Sequence, residues 1–412
     1  MADFHQNGIV STLHNLSDRP VEELDACLKE YSKSNPMTLV LPSLYSELEG
    51  SALKHIVDEL KQVSYLNNIV IGLDQADRKQ FEHALSYFSE LPQQHSVLWN
   101  DGPRLRAVDE KISEQGLAPI APGKGRNVWY CFGYVMAACQ DTKVVGLHDC
   151  DIITYDQTLL ARLFYPVANP YFSYIFSKGY YARVAEGKMN GRVMRLLVTP
   201  LIQALKKVYG DDPYLDYLAA FRYPLAGEFA MDIDVISDLR IPNDWGLEIG
   251  ILSEIRRNYS PNMICQVELA DTYDHKHQDV SEEDKNKGLY KMSVDIIVSI
   301  FRKLAADGKL VSEEHLRAIK ATYLRGAMDL VEMYEHDATL NGLAYNVHLE
   351  EKTVELFAAN IIEGGRDFIA NPTKAPFVPR WNRVRYAVPD VLERLEEAVR
   401  LDYEEMMGAG KS

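Results

Sequence analysis

The chain has 412 residues, of which 47% are hydrophobic and 25% are charged, and its formal net charge at pH 7 is −16. This length supports one large domain with a smaller one, or two to three domains, and the composition is that of a folded globular protein. The acidic balance argues against a general nucleic-acid-binding protein, which would have a basic surface, but it leaves room for a local basic pocket that binds a phosphorylated metabolite.

The five cysteines are scattered along the chain and form no C-x-x-C pair: Cys27, Cys131, Cys139, Cys150 and Cys265. This usage favours a reduced compartment. The first residues show neither the basic segment nor the apolar segment of a signal peptide. No stretch approaches the roughly 20 apolar residues that a membrane span needs. We therefore expect a cytoplasmic protein with no membrane-spanning segment.

The first third of the chain alternates apolar strands with amphipathic helices. Residues 1–36 are typical of a helical lead-in. Short apolar runs then predict buried strands at 38–41, 68–73, 96–99 and 144–147. The intervening patterns predict helices at 51–60, 78–88 and 127–140, and a long loop at 101–126. This alternation predicts an α/β domain with a mostly parallel sheet.

The pattern changes after Asp151. Two apolar runs, 171–177 and 180–184, predict paired strands on either side of Lys178-Gly179. Helices are expected at 193–208 and 245–258, and another strand at 263–269.

From about residue 284 onward, apolar residues recur at helical spacing, with Leu289, Met292, Ile296, Ile300 and Leu304 as one stripe. Further helices are expected at 312–335, 350–362 and 388–406. The proline-bearing segment 363–387 is expected to be a loop or arm. We expect this helical part to serve packing or oligomerisation rather than to form a second active site.

Two carboxylates, Asp149 and Asp151, follow the strand at 144–147. Residues two apart in an extended chain face the same side, and open α/β sheets bind ligands at the carboxyl ends of their strands. Adjacent carboxylates repel unless a cation compensates them, and a divalent cation that carries phosphate oxygens does so. The pair is therefore a candidate Asp-x-Asp site for a metal ion and a diphosphate. The alternative is a solvated turn, in which aspartate is common.

Two cationic side chains lie at predicted helix starts. Lys124 stands between two glycines, and Arg192 follows Gly191. Helix N-termini and guanidinium groups both bind phosphate or carboxylate, although each residue is also explained as a solvated surface side chain. Gly123-Lys124-Gly125 is no phosphate-binding P-loop, since it lacks the upstream glycine and the following Ser or Thr.

His275 and His277 alternate across Lys276, so in an extended segment either could ligate a metal ion. A His-x-His pair alone is weak evidence. Glu228 and Glu248 lie just after glycines, and each is also explained as a charge at a helix N-terminus. The sequence has no Ser/His/Asp arrangement and no H-E-x-x-H or G-x-S-x-G motif.

The order of these motifs resembles the GT-A glycosyltransferases, and more closely the glucosyl-3-phosphoglycerate synthases. The similarity runs from about residue 38 to residue 280. The matching segments are Leu41-Pro42-Ser43-Leu44, Pro122-Gly123-Lys124-Gly125, Asp149-Cys150-Asp151, Gly191-Arg192-Val193, Pro224-Leu225-Ala226-Gly227-Glu228 and Gly246-Leu247-Glu248-Ile249-Gly250. The last two are the most specific to that family.

The resemblance implies a GT-A fold, which is Rossmann-like, over residues 37–280. Its nucleotide-sugar half would be 37–151 and its acceptor half 152–280, with a helical C-terminal extension over 281–412. It implies a metal-dependent retaining hexosyltransferase that moves glucose from a nucleotide-diphosphate sugar, with UDP-glucose favoured, to the 2-hydroxyl of 3-phosphoglycerate. The cofactor would be Mg²⁺ or Mn²⁺, and the protein would form a homodimer.

The resemblance also implies roles for the matching residues. The nucleotide would contact Pro42, Ser43, Leu44, Lys124, Asp149 and Cys150. The metal ion would bind Asp151 and His275, with His277 as a substitute. The sugar would lie against Leu225, Ala226, Gly227 and Glu248. The acceptor's phosphate or carboxylate would lie against Gly191, Arg192 and Val193. Asp151, Glu248 and Lys124 would carry catalysis.

Two departures from the family pattern concern the substrates. This chain has Tyr45-Ser46-Glu47 where the family has Asn-Glu-Glu, and Met194 where it has Thr. Because Met194 removes a hydroxyl from the acceptor site, transfer to glycerate, or of mannose from GDP-mannose, stays open. A function of another class also stays open, a non-catalytic nucleotide-sugar-binding protein. No carboxylate stands out as a nucleophile on the far face of the sugar, which favours front-face attack with retention.

Overall fold

The computed structural model describes Gln6 and residues 8–17, 19–117, 122–275, 288–372 and 378–409. One eight-stranded sheet forms its centre. The strands, with a separate ribbon of β7 and β8, are β1 (Ser11–Leu13), β2 (Met37–Leu44), β3 (Leu66–Asp74), β4 (Gln94–Trp99), β5 (Val144–Leu147), β6 (Phe176–Tyr181), β7 (Val184–Ala185), β8 (Lys188–Met189), β9 (Phe229–Asp232) and β10 (Ile264–Ala270).

The spatial order of the large sheet is β1-β10-β6-β9-β5-β2-β3-β4. Neighbouring strands pair in parallel except β9, which is antiparallel to both β5 and β6. Phe229, at the start of β9, lies opposite Leu147, at the end of β5. The segment that enters β9 therefore reaches the same edge of the sheet as the carboxyl ends of the parallel strands.

Helices cover both faces of the sheet. They are α1 (Val21–Tyr31), α2 (Ser51–Leu60), α3 (Arg78–Phe88), α4 (Pro103–Ser113), α5 (Lys124–Ala138), α6 (Gln157–Ala168), α7 (Thr199–Tyr209), α8 (Pro213–Ala220), α9 (Ile233–Asp238), α10 (Leu247–Asn258), α11 (Gly288–Ala306), α12 (Glu313–Leu340), α13 (Val347–Ala370), α14 (Trp381–Ala387) and α15 (Val391–Ala409). Along β2 the side chains alternate: Val40 packs into the core on the α5 face, whereas Leu39 and Leu41 pack into the core on the α6 face. The predicted mostly parallel α/β fold is confirmed.

The C-terminal helices share the core of the α/β part. Helix α12 packs against α7, and α15 packs against α4 and α5. The predicted stripe on α11 is confirmed, since Ile296, Ile300 and Leu304 are buried. In the part of the chain that the structure describes, no helix is both long and apolar enough to cross a membrane.

Two predicted loops contain helices. Helix α4 lies inside the predicted loop 101–126, where Leu105, Val108 and Ile112 are buried at helical spacing and Pro103 occupies the first turn. In the predicted loop 363–387, α13 continues to Ala370 and α14 begins at Trp381. The ring of Trp381 stacks on Trp129 with centroids 4.2 Å apart. This contact anchors α14. Because it joins residues that are far apart in the sequence, no local pattern predicts it.

The predicted pair of strands around Lys178-Gly179 is wrong. Both residues lie inside the single strand β6 and are buried. A lysine in the middle of a buried strand is tolerated because its ammonium donates a hydrogen bond to the carbonyl of Ala226. Lys178 also lies 5.6 Å from the ring centroid of Phe229. The short strand β9 was not predicted either.

Candidate active site

Polar and charged side chains from distant parts of the sequence meet at the carboxyl edge of the sheet. They come from the segments after β5 (Asp149 and Asp151), β6 (Arg183) and β10 (His275), from the residue before β9 (Glu228), and from the first turns of α5 (Lys124) and α10 (Glu248). The reversal at β9 makes the space between β5 and β6 the place where these segments converge, which is where open α/β sheets bind ligands.

Lys124 joins two carboxylates that are far apart in the sequence. Its Nζ lies 2.6 Å from Asp149 Oδ1 and 3.2 Å from Glu248 Oε1. Burial alone would lower the pKa of Lys124, but the charges of Asp149 and Glu248 outweigh that effect and raise it. Burial opposes ionisation of Asp149 too, yet Lys124 lowers the pKa of that carboxyl overall. The cluster therefore holds a permanent ammonium between two carboxylates.

Asp151 faces His275 across the site. The distance from Asp151 Oδ2 to His275 Nδ1 is 3.8 Å, and the two side chains are 28% and 30% exposed. A bridge between Ile152 and His275 aligns the two segments, and the N–H of Ile153 donates to the carbonyl of Asp274 at 2.8 Å. Burial and the charge of Asp149 raise the pKa of Asp151 to about 7.

The donor set of this pair fits a divalent cation. Carboxylate oxygens suit Mg²⁺ and Mn²⁺, and Mg²⁺ is usually held by one or two carboxylates together with substrate phosphates and water. The residues that the structure describes contain no group of three or more His, Cys, Asp or Glu side chains arranged to hold a metal ion. Two protein ligands would leave the other coordination positions of such an ion to phosphate oxygens and water. Asp151 and His275 would hold it; His277 lies outside the described residues.

The loop that enters β9 lies directly against Asp149. A Cβ on Gly227 would lie 2.5 Å from Asp149 Oδ2 and 3.3 Å from Lys124 Nζ, so a larger residue would displace the loop or these side chains. Ala226 is fully buried and Leu225 is half-buried. Of the predicted sugar-binding residues, Gly227 thus lies beside the Lys124 cluster, and Glu248 is part of that cluster.

Glu228 is a buried carboxylate whose environment the sequence did not reveal. It accepts hydrogen bonds from the hydroxyls of Tyr181, at 2.8 Å, and Tyr273, at 2.5 Å. The two tyrosine rings stack with centroids 3.6 Å apart. Burial, reinforced by the charge of Asp149, raises the pKa of Glu228. Glu228 therefore ties β6, β9 and the segment after β10 together, and it is not the helix-terminal charge that was one expectation.

The expected nucleotide-binding residues form the end of β2 and the loop after β5. Pro42, Ser43 and Leu44 are the last residues of β2, and Leu44 is 39% exposed. The side chain of Cys150 is buried, so a ligand at the edge would reach only its main chain. Beside them, Gln75 has a φ of +58°, a conformation that non-glycine residues rarely adopt outside functional or tightly packed sites.

The expected acceptor-binding residues lie in segment 190–195, which we call the acceptor loop; it follows the β7–β8 ribbon and includes the first residues of the π-helical turn before α7. Gly191 has a φ of +75°, which favours glycine, and Val193 is buried at the start of a π-helical turn. Arg192 Nε donates to Glu350 Oε1 at 2.7 Å. Glu350 belongs to α13, so the C-terminal helices reach this loop, a contact that the sequence did not indicate.

Arg183 connects the acceptor loop to His275 and was also missed. Its Nη1 lies 2.6 Å from His275 Nε2 and 3.4 Å from the hydroxyl of Tyr223. A Cβ on Gly191 would lie 3.3 Å from the Cβ of Arg183. The Nε of Arg183 is buried and has no hydrogen-bond partner among the described residues. Because Arg183 lies just past the end of a parallel strand, the sequence could have marked it as a site residue. The wrong prediction of a turn at Lys178-Gly179 prevented this.

Two curated relatives match the chain over nearly its whole length. The glucosyl-3-phosphoglycerate synthase of Persephonella marina is 43% identical over 402 residues, which are 98% of this chain and 99% of the relative. The protein of the same name from Methanococcoides burtonii is 38% identical over 408 residues, 98% of each chain. No protein-family model matches the chain.

Solved structures with similar folds include the glucosyl-3-phosphoglycerate synthase of Mycobacterium tuberculosis bound to Mn²⁺, UDP and glucosyl-3-phosphoglycerate. It has a TM-score of 0.51 and 19% identity and covers 72% of this chain and 88% of its own. The mannosyl-3-phosphoglycerate synthase of Rubrobacter xylanophilus has a TM-score of 0.54 and 20% identity, over 74% and 83% of the two chains. These structures support the fold alone. Because the full-length relatives share 43% and 38% identity with it, the chain belongs to the glucosyl-3-phosphoglycerate synthase family.

Proposed function

We propose that the protein transfers glucose from UDP-glucose to the 2-hydroxyl of 3-phosphoglycerate, with retention of the α configuration. The observation that carries this proposal is the convergence at one sheet edge of Lys124, Asp149, Asp151 and His275, beside a loop bearing Arg192. The names of the relatives supply the transferred glucosyl group and the acceptor 3-phosphoglycerate. The mycobacterial structures, which hold UDP with Mn²⁺ or Mg²⁺, are consistent with the same donor class.

On the donor side, the ends of β2 and β5 would receive the nucleotide, and Lys124 would face the diphosphate. Lys124 stays charged because Asp149 and Glu248 raise its pKa. A fixed ammonium beside the leaving diphosphate stabilises the charge that grows as the glycosidic bond breaks. Asp151 and His275 would hold the Mg²⁺ or Mn²⁺ ion, which when bound supplies Lewis-acid stabilisation of the same diphosphate.

The carboxylates near the expected sugar site favour front-face attack. A double displacement needs a free carboxylate on the far face of the sugar. Glu228 is buried and accepts hydrogen bonds from two tyrosines, and Glu248 is paired with Lys124. We infer that the acceptor hydroxyl oxygen bonds to the anomeric carbon as the bond to the β-phosphate oxygen breaks. The hydroxyl proton passes to that departing phosphate oxygen, which gives UDP and the glucosylated acceptor.

On the acceptor side, the charges favour an anion. Arg192 lies on the acceptor loop, and Arg183 borders Gly191 of that loop. In the described part of the chain, Glu350 is the one carboxylate bonded to the arginines of this loop. The excess of positive charge suits 3-phosphoglycerate better than glycerate, which lacks the phosphate. Half-buried Met194 is the one feature that favours a less polar acceptor contact.

A product assay tests the proposal. Purified protein is incubated with UDP-glucose or GDP-mannose, with 3-phosphoglycerate or glycerate, in Mg²⁺ or in excess EDTA, and products are identified by NMR. We expect an α-linked glucosyl-3-phosphoglycerate only in Mg²⁺. Preferred use of GDP-mannose or glycerate would overturn the substrate assignment, and the absence of any transfer would favour a non-catalytic nucleotide-sugar-binding protein.

A further inference from the structure

Glu350 is a buried carboxylate that contacts two arginines of the acceptor loop. It is 2% exposed and lies in the first turn of α13, where the helix dipole favours a negative charge. Its Oε1 accepts from Arg192 Nε at 2.7 Å, and its Oε2 accepts from Arg195 Nη2 at 3.0 Å. One side chain of the C-terminal module thus fixes two guanidinium groups that are 158 and 155 residues away in the sequence.

The two arginines differ in what else holds them. Arg195 is buried, donates to the carbonyl of Asn190 at 2.8 Å, and lies 4.8 Å from the ring centroid of Tyr334 and 5.9 Å from that of Tyr345. A guanidinium in such a site needs a carboxylate partner, since an unpaired buried charge is strongly destabilising. Arg195 is therefore a fixed structural element that orients the carboxylate of Glu350.

Arg192 is 31% exposed and, within the described residues, makes its side-chain hydrogen bond through Nε alone. This contact leaves both Nη groups available, and their planar fork matches a carboxylate or phosphate. Two guanidinium groups against one carboxylate also leave one positive charge in excess at the loop. Glu350 therefore holds Arg192 through Nε, and the two Nη groups can bind an anion.

We propose that Glu350 is a positioning residue for acceptor binding, which makes the C-terminal helical module part of the acceptor site. The inference rests on the proposed function, because it takes the acceptor to be an anion that Arg192 binds. Lys188 and Ala344 form a bridge, and the N–H of Ala344 donates to the carbonyl of Gly187 at 2.8 Å. The segment that leads into α13 is thereby held by its main chain against the β7–β8 ribbon, which directly precedes the acceptor loop, independently of Glu350.

The test compares wild type with Glu350→Gln and Glu350→Asp. An amide accepts through one oxygen only and turns its NH₂ toward the other guanidinium, so Glu350→Gln loses one of the two contacts. We expect the KM for 3-phosphoglycerate to rise about tenfold, as for the loss of one charge-assisted hydrogen bond. The KM for UDP-glucose stays unchanged, and Glu350→Asp recovers part of the loss.

The matched control is Glu355→Gln, which changes an exposed glutamate on the same helix and leaves the kinetics at the wild-type values. Titration calorimetry with inorganic phosphate and with 3-phosphoglycerate separates this inference from the proposed function. Glu350-dependent anion binding without any glucosyl transfer would uphold the inference and refute the function. An unchanged acceptor KM in a folded Glu350→Gln protein, equal losses for donor and acceptor, or no anion binding by wild type would overturn the inference.

Discussion

At the scale of single residues, the site depends on charges that only the fold brings together. Asp149 and Asp151 were predictable, because two carboxylates after a buried strand must lie at the sheet edge. Their partners were less so: Glu248 reaches Lys124 from 124 residues away, and Arg183 and His275 are 92 residues apart. The resemblance named Lys124, Glu248 and His275 as site residues but not these contacts. Sequence reasoning missed Arg183 and Glu350, whose roles depend on distant partners.

Replacing Asp151 by Ala tests the metal-binding pair. The change removes one of the two side chains that would hold the ion, so Mg²⁺-dependent transfer should fall at least about 1,000-fold, or about 4 kcal/mol of transition-state stabilisation. The midpoint of thermal unfolding should change little, because removing Asp151 also removes repulsion with Asp149. Asp141→Ala, at an exposed position before β5, is the control. Asp151→Ala with wild-type turnover would refute the assignment.

The pH dependence of stability has a predictable contribution from Asp74. Burial raises its pKa from 3.8 to about 6, although Asn100 Nδ2 donates to it at 2.7 Å. The folded state binds this proton more tightly than the unfolded chain, so the stabilisation is complete below about pH 4 and is lost as pH rises through about 6.

Asp74→Asn removes this titration and keeps an acceptor for Asn100. Relative to wild type, its free energy of unfolding should be similar at pH 4 and higher at pH 7 by at most about 3 kcal/mol, since one pKa unit corresponds to about 1.4 kcal/mol. Urea denaturation at several pH values measures the difference, with exposed Asp141→Asn as control. A difference that does not grow with pH would contradict this account.

At the scale of elements, the antiparallel direction of β9 positions the loop that carries Gly227 and Glu228 at the site. Apolar runs identified β2, β3, β4, β5 and β10, because strands buried on both faces are apolar throughout. The parallel strand β1 was missed, since it lies inside the predicted helical lead-in 1–36. Strand β9 and the central lysine of β6 were missed, since both depend on neighbours in the sheet rather than on local pattern. Yet they place Gly227 and Glu228 beside Asp149 and fix the loop through the hydrogen bond from Lys178 to Ala226.

Gly227→Ala tests how closely this loop must approach. Its Cβ would lie 2.5 Å from Asp149 Oδ2, so either the loop or the Asp149–Lys124 pair must move. We expect kcat/KM for UDP-glucose to fall about 100-fold, the usual effect of a displacement of about 1 Å in a catalytic site. Gly326→Ala is the control, because nothing lies within 4 Å of that added Cβ and a helical alanine is stabilising. Wild-type kinetics in the Gly227 variant would refute this role of the loop.

At the scale of the whole molecule, the helical C-terminal module is continuous with the catalytic fold. Its presence was predictable from helical periodicity, and the packing of α11 against α13 and α10 and of α12 against α7 accounts for its apolar residues. What periodicity could not indicate is that the start of α13 reaches the acceptor loop through Glu350. The division of the chain at residues 37 and 281 and the homodimer stay predictions.

The most direct test of the central claim is a crystal structure of the protein with UDP and Mn²⁺, with the ion located by its anomalous scattering. We predict one Mn²⁺ peak in contact with the carboxylate of Asp151 and the imidazole of His275, with the diphosphate beside Lys124 and the base near Pro42–Leu44. A peak that touches neither Asp151 nor His275, or UDP bound away from this edge of the sheet, would contradict the account.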